Sequence, residues 1–193
     1  MSPVDETTAA SDGRVRRGTL ARGAVAGVGA WLLGYLLAYV WKARAVSEAL
    51  EGVGFVSRLL GGEAIPAWKG VTWLFLNAHF VATRFPTVTG GTRTTNVVTG
   101  EGGSTLLLAL PPLLLLVAGA VAAYGRPGGL AAGAALALGY LPLSAMAAFV
   151  TTHAIGDTWA AISADPVTAI LLAGVVYPAA FGAVGGVVVG AVE

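Results

Sequence analysis

The sequence predicts an all-α protein, a polytopic transmembrane helical bundle of four full spans plus one short, polar-interrupted span or re-entrant segment. Long charge-free runs are the first reason. They cover 24 residues between Glu101 and Arg126, 30 between Arg126 and Asp157, and 27 from Pro166 to Val192. A bilayer core needs about 20 apolar residues per helix, so each run is long enough to cross. Composition is the second: 56% of the 193 residues are hydrophobic and only 11% charged, with mean hydropathy +0.78. Soluble domains carry about 25% charged residues. The third is the abundance of small residues in the runs, with 28 glycines in the chain. That suits helices packed backbone to backbone in lipid.

The same composition narrows the chemistry. A net charge of +1 gives no electrostatic basis for nucleic-acid binding, so no such partner is expected. With no cysteine, disulfides, thiolate metal sites and cysteine nucleophiles are excluded. No G-x-S-x-G, H-E-x-x-H or P-loop occurs. The expectation is a protein without enzymatic activity, cofactor or metal.

Residues 1–18 begin with a polar Thr/Ser/Asp stretch that has nothing to bury, and they read as a disordered N-terminal tail. The transmembrane helical domain then fills 19–193. Arg14, Arg16, Arg17 and Arg22 precede a charge-free run from Gly23 to Trp41. Its length and its aromatics, Trp31, Tyr35, Tyr39 and Trp41, favour a retained span over a cleaved signal peptide. The arginines place the N-terminus in the cytoplasm, and the protein in the cytoplasmic membrane as a multi-pass chain.

Residues 45–60 change period. Val46, Ala49, Leu50, Val53, Leu59 and Leu60 share one helical face, with Ser47, Glu48, Glu51 and Arg58 on another. This is an amphipathic helix, expected to lie at the interface or cap the bundle. Gly61-Gly62 and Pro66 end it. The stretch 68–85 (WKGVTWLFLNAHFVATRF) follows, charge-free only over 70–83 and so short of a full crossing. Asn77 and His79 sit at its middle. Polar groups at depth are expensive, so both should face protein or a wet cavity, not lipid.

Residues 86–103 form a Thr/Gly loop. Within it, Thr87–Thr89, Gly90-Gly91 and Thr92–Thr94 suggest a small β-hairpin with a glycine turn. Three spans follow over about 104–124, 129–151 and 167–190, with Pro111-Pro112, Pro142 and Pro178 as expected kinks. Gly125-Arg126-Pro127-Gly128 permits only a tight turn between the first two. The loop 152–166 holds His153, Asp157 and Asp165 with no basic residue. If 70–83 re-enters, Arg126 falls inside and this acidic loop outside; if it crosses, both are reversed. Lys42 and Arg44 oppose either arrangement.

Gly129/Gly133, Gly182/Gly186 and Gly186/Gly190 are small-xxx-small pairs that allow close helix approach, either within one protomer or between copies. His79 is either a proton- or ion-path residue or a structural hydrogen-bonding group. His153 and Asp157, four apart, could share a helix face. A metal site would need a third ligand, and that meeting is not expected.

The Thr/Asp-rich tail, the GAWLLGYLLAYVWKA end of the first apolar helix, and WKGVTWLFLNAHFVATRF together resemble small polytopic membrane proteins of unknown function from halophilic archaea. The resemblance implies an archaeal cytoplasmic membrane and no particular chemistry. The functional expectation is a homo-oligomeric channel or small-solute path lined by His79 and Asn77. The alternative is a non-catalytic scaffold or assembly subunit holding an unlike membrane partner.

Overall fold

The computed structural model describes residues 3–87, 90–100, 104–125 and 128–192, with side chains described from Arg17 onward. Helix α1 runs Pro3–Leu59 without interruption. The first span and the amphipathic segment are therefore one element. No Pro or Gly-Gly breaker lies between Trp41 and Gly61, and once a helix is nucleated each further residue adds a hydrogen bond at little cost. The helix as described begins at Pro3, within the stretch expected to be a tail. A helix of 57 residues is roughly 85 Å along its axis, far more than the ~30 Å bilayer core. It ends in a Schellman turn: Gly61 takes φ 84°, and Gly62 N–H bonds the Ser57 carbonyl at 2.9 Å.

Helix α2 covers Ala67–Asn77, 11 residues or about 16 Å, too short to cross. Its two faces meet different stretches of α1. Trp68 and Phe75 pack towards Tyr35 and Trp31, while Gly70 meets Val46 and Leu50. Strands β1 (Thr83–Pro86) and β2 (Thr92–Thr95) follow as an antiparallel hairpin, Pro86 opposite Thr92. Gly90 and Gly91 do supply the turn, at φ 84° and 99°. The first strand, however, starts four residues earlier than expected, inside the stretch read as membrane segment.

Next come a 3₁₀ turn (Thr105–Ala109) and α3 (Leu110–Ala123). Pro111 and Pro112 occupy the first turn of α3, where a missing N–H costs nothing, and so mark a junction and not a mid-span kink. The next span is split into α4 (Gly129–Ala134) and α5 (Ala137–Val150), with Pro142 inside α5. Strands β3 (His153–Ala154) and β4 (Ala161–Ala164) lead to α6 (Pro166–Thr168), a π-helical stretch (Ala169–Val176) and α7 (Tyr177–Gly190). Pro178 sits just beyond the π-helical stretch, in the first turn of α7.

The four strands make one antiparallel sheet in the order β2-β1-β4-β3. The fold is thus mostly helical but not all-α. Among the described residues, four helical stretches are long and apolar enough to cross a membrane: Arg17–Leu59, Thr105–Ala123, Gly129–Val150 and Pro166–Gly190.

Their ends are ordered by side-chain contacts. Arg22, at the start of the first stretch, donates to the Val121 carbonyl at the end of α3. Gly23 and Gly27 lie against Ala132 and Leu136, and Gly129 lies against Gly186. The end of α3, the start of α4 and the C-terminal end of α7 therefore share one end of the bundle with the start of that stretch. The sheet and the C-terminal part of α1 form a head at the other end, with α2 running from it into the bundle, where Phe75 meets Trp31 and His79 meets Tyr140.

Candidate functional site

His79 follows α2 in a tight turn. Val81 N–H bonds the Leu76 carbonyl at 3.2 Å and Phe80 N–H the Asn77 carbonyl at 2.9 Å. This is the same Schellman pattern that ends α1, but Phe80 occupies the left-handed position at φ 61°, where glycine is the unstrained choice. The turn carries the His79 ring into the bundle, fully buried. Its Nδ1 is 2.9 Å from the Phe75 carbonyl oxygen and its Nε2 is 2.7 Å from the Tyr140 hydroxyl. A carbonyl only accepts, so Nδ1 carries the proton and Nε2 accepts from Tyr140. One neutral tautomer satisfies every partner. Phe75 and Tyr177 close over the ring at centroid distances of 5.0 and 5.1 Å.

Asn77 is also fully buried, and its amide is spent. Nδ2 donates to the Val81 carbonyl at 2.7 Å and to Thr83 Oγ1 at 2.9 Å, while Oδ1 accepts from Val97 N–H at 2.8 Å. Its backbone carbonyl takes Asn96 Nδ2 at 2.9 Å. Asn77 thus ties the end of α2 to the loop after β2. His79 and Asn77 both face the interior, each on its own set of partners. Elsewhere Trp31 Nε1 donates to Ser144 Oγ and Trp73 Nε1 to Thr151 Oγ1, at 3.2 and 3.1 Å. Among the described residues no buried side-chain nitrogen or oxygen lacks a partner.

The small-xxx-small glycines are largely consumed within the protomer. A methyl group on Gly133 or Gly119 would overlap the Gly182 carbonyl, and one on Gly129 the Gly186 carbonyl. Gly182 and Gly186 thus hold α7 against α3 and α4. Gly190 meets nothing within 4 Å. His153 and Asp157 do not share a helix face. His153 is on β3 with Nδ1 3.5 Å from Lys69 Nζ, and Asp157 lies in a turn bonded to the end of α1 through Leu60. Among the described residues no three His, Asp or Glu side chains gather as metal ligands.

Two features have little or no signal in the sequence. The first is an ion pair between Arg84 on β1 and Asp165, which also caps α6 by accepting from Thr168 N–H at 2.8 Å. Burial alone would push this carboxyl up; the Thr168 and Arg84 hydrogen bonds outweigh that and hold it below its usual value. Asp165-Pro166 before an apolar run is a legible cap signal, but the Arg84 partner, 81 residues away, is not.

The second is a cavity of about 220 Å³ where α1, α2, β1 and the loop after β2 meet. Val46, Leu50, Val53, Trp73, Phe85 and Val97 line it, with Asn77 and Thr83 at its wall. Only the α1 side of it, Val46/Leu50/Val53, was visible as a periodic stripe.

The chain belongs to a family of unknown function, DUF7978. The family match takes in residues 1–193. No curated protein and no solved structure matches the chain.

Proposed function

We propose that the protein is a non-catalytic subunit of a membrane assembly, its four spans a closed anchor and its head the surface that engages an unlike partner. The observation that carries this is the self-sufficiency of the interior. His79, Asn77, Ser144 and Thr151 are each bonded to named internal partners, so none of these four is left to line a path for a solute. The head, by contrast, has large apolar groups uncovered: Phe55 at 57% exposure, Leu59 at 70% and Trp159 at 82%. Phe55 and Leu59 are one turn apart on α1, and Leu60 packs against the Gly156 turn, three residues before Trp159. Exposed apolar groups gathered at one end of the molecule are what an interaction site requires.

Four crossings put both chain ends on one side, and the arginines before Gly23 favour the cytoplasm for it. The acidic loop around Asp157 and the whole head then face outwards.

Purification in a gentle detergent with mass analysis tests this reading. A stoichiometric unlike subunit, lost on Leu59→Asp or Trp159→Asp, is the expected result. A lone homo-oligomer whose liposomes pass ions or small solutes, with the passage altered in His79→Leu, would instead establish a pore.

A further inference from the structure

We infer that the cavity between α1, α2 and β1 houses one alkyl chain of a membrane lipid, drawn out of the bilayer into the head. The inference uses the membrane-spanning reading of α1 and does not depend on the subunit role proposed above.

The cavity is about 220 Å³, larger than the ~150 Å³ apolar cavity that takes up benzene. Its wall is almost wholly apolar. The two polar side chains at its edge are already engaged: Asn77 holds Val81, Thr83 and Val97, and Thr83 accepts from Asn77. A water needs two to four polar partners, so this space is not a water site. Gly70 opens the floor, since any side chain there would meet Val46 Cγ1 and Leu50 Cδ1 at 2.5–2.6 Å.

Position names the occupant. Val46 lies five residues beyond Trp41, the half-exposed aromatic that ends the first apolar run, or about 7.5 Å along the helix. The cavity therefore begins roughly one and a half turns past the hydrocarbon boundary, and the nearest apolar ligand is a lipid tail. Lys42 precedes Val46 by one turn on the same helix face, with its ammonium 4.6 Å over the Trp41 ring. It stands at the headgroup level, where it complements a lipid phosphate.

A phosphatidylglycerol with a diazirine at the end of one acyl chain tests this on the full-length protein in liposomes. In an ordinary lipid that carbon sits near the bilayer midplane, so background labelling falls on the Leu32–Leu37 part of α1. Tail occupancy predicts additional labelling of peptides containing Val46–Val53 and Trp73–Leu74. Filling the cavity with Ala49→Phe and Val97→Phe should reduce that signal at least tenfold and leave the span signal unchanged. The wild-type map decides the matter even if the filled variant misfolds. Labelled spans with unlabelled Val46–Val53 overturn the inference. Spans that are unlabelled as well would instead overturn the membrane reading.

Discussion

Replacing Asn77 with leucine separates a structural amide from a pore-lining one. The side chain makes three hydrogen bonds, at 2.7, 2.9 and 2.8 Å, at a position with no solvent exposure. The amide can face only one way, because Val97 offers an N–H and Val81 a carbonyl. Leucine has the same branched skeleton of side-chain heavy atoms, so the shape is nearly kept while the Val81 carbonyl and the Val97 N–H lose their partner. Val81 is fully buried, and its unpaired carbonyl costs about 1–3 kcal/mol, whereas Val97 is 44% exposed and its N–H can turn to water. The Thr83 hydroxyl can rotate and adds little. The expected loss is about 1–3 kcal/mol, against the about 5–15 kcal/mol that holds a domain folded. For a chain of this size that is roughly 2–12 °C in Tm. Thermal unfolding in detergent, followed by tryptophan fluorescence, reads it directly: Trp73 lies beside Asn77 on the cavity wall. A leucine variant that melts within about 1 °C of wild type would refute the hydrogen-bond reasoning and restore Asn77 as a candidate solute contact.

Three further outcomes follow from other parts of the fold. Gly182→Leu should prevent folding, because its added atoms meet the Gly133 backbone, whereas Gly190→Leu should stay within about 0.5 kcal/mol of wild type; expression and size-exclusion profiles distinguish them. His79→Leu should lower Tm, because the buried Phe75 carbonyl and Tyr140 hydroxyl both lose the imidazole that joins them; thermal unfolding in detergent reads it. Asp165→Ala should cost about 1 kcal/mol through loss of the α6 cap, and Asp165→Asn clearly less. The Asn variant keeps the cap, and the Arg84 side chain it releases is 43% exposed; chemical denaturation compares the pair.

The spans were legible because their signal is local: a charge-free run such as Thr105 to Tyr124 announces itself without knowledge of its neighbours. The fusion of the first span with residues 45–59 was also implicit, since nothing between Trp41 and Gly61 breaks a helix. What stayed hidden depends on distant pairing. Strand β1 looked like the interfacial end of a membrane helix because Arg84 and Phe85 suit an interface. It is a strand because Thr83 and Arg84 pair with Ala164 and Ser163, far along the chain. The end of α2 was obscured for another reason. Its Schellman turn uses Phe80 where a glycine would have marked the stop.

Asn77 and His79 were recognisable as interior groups from the cost of polarity at depth. Their partners, Val97 and Tyr140, were not, because nothing in the local pattern links residues 20 and 61 positions apart. Leu59 and Leu60, on the same stripe as Val46 and Leu50, are exposed because the chain turns back at Gly61 and α2 covers only the earlier part.

Four crossings with α2 held on one side is the claim on which the architecture rests, and the absence of native cysteine makes it directly measurable. Single cysteines introduced as Glu51→Cys, Thr92→Cys and Gly190→Cys, all at exposed positions, can be probed with a membrane-impermeant maleimide on sealed vesicles. Positions 51 and 92 should label from the same side and 190 from the opposite one. Labelling of 51 and 92 from opposite sides would mean that α2 crosses the bilayer, and the four-span account would be wrong.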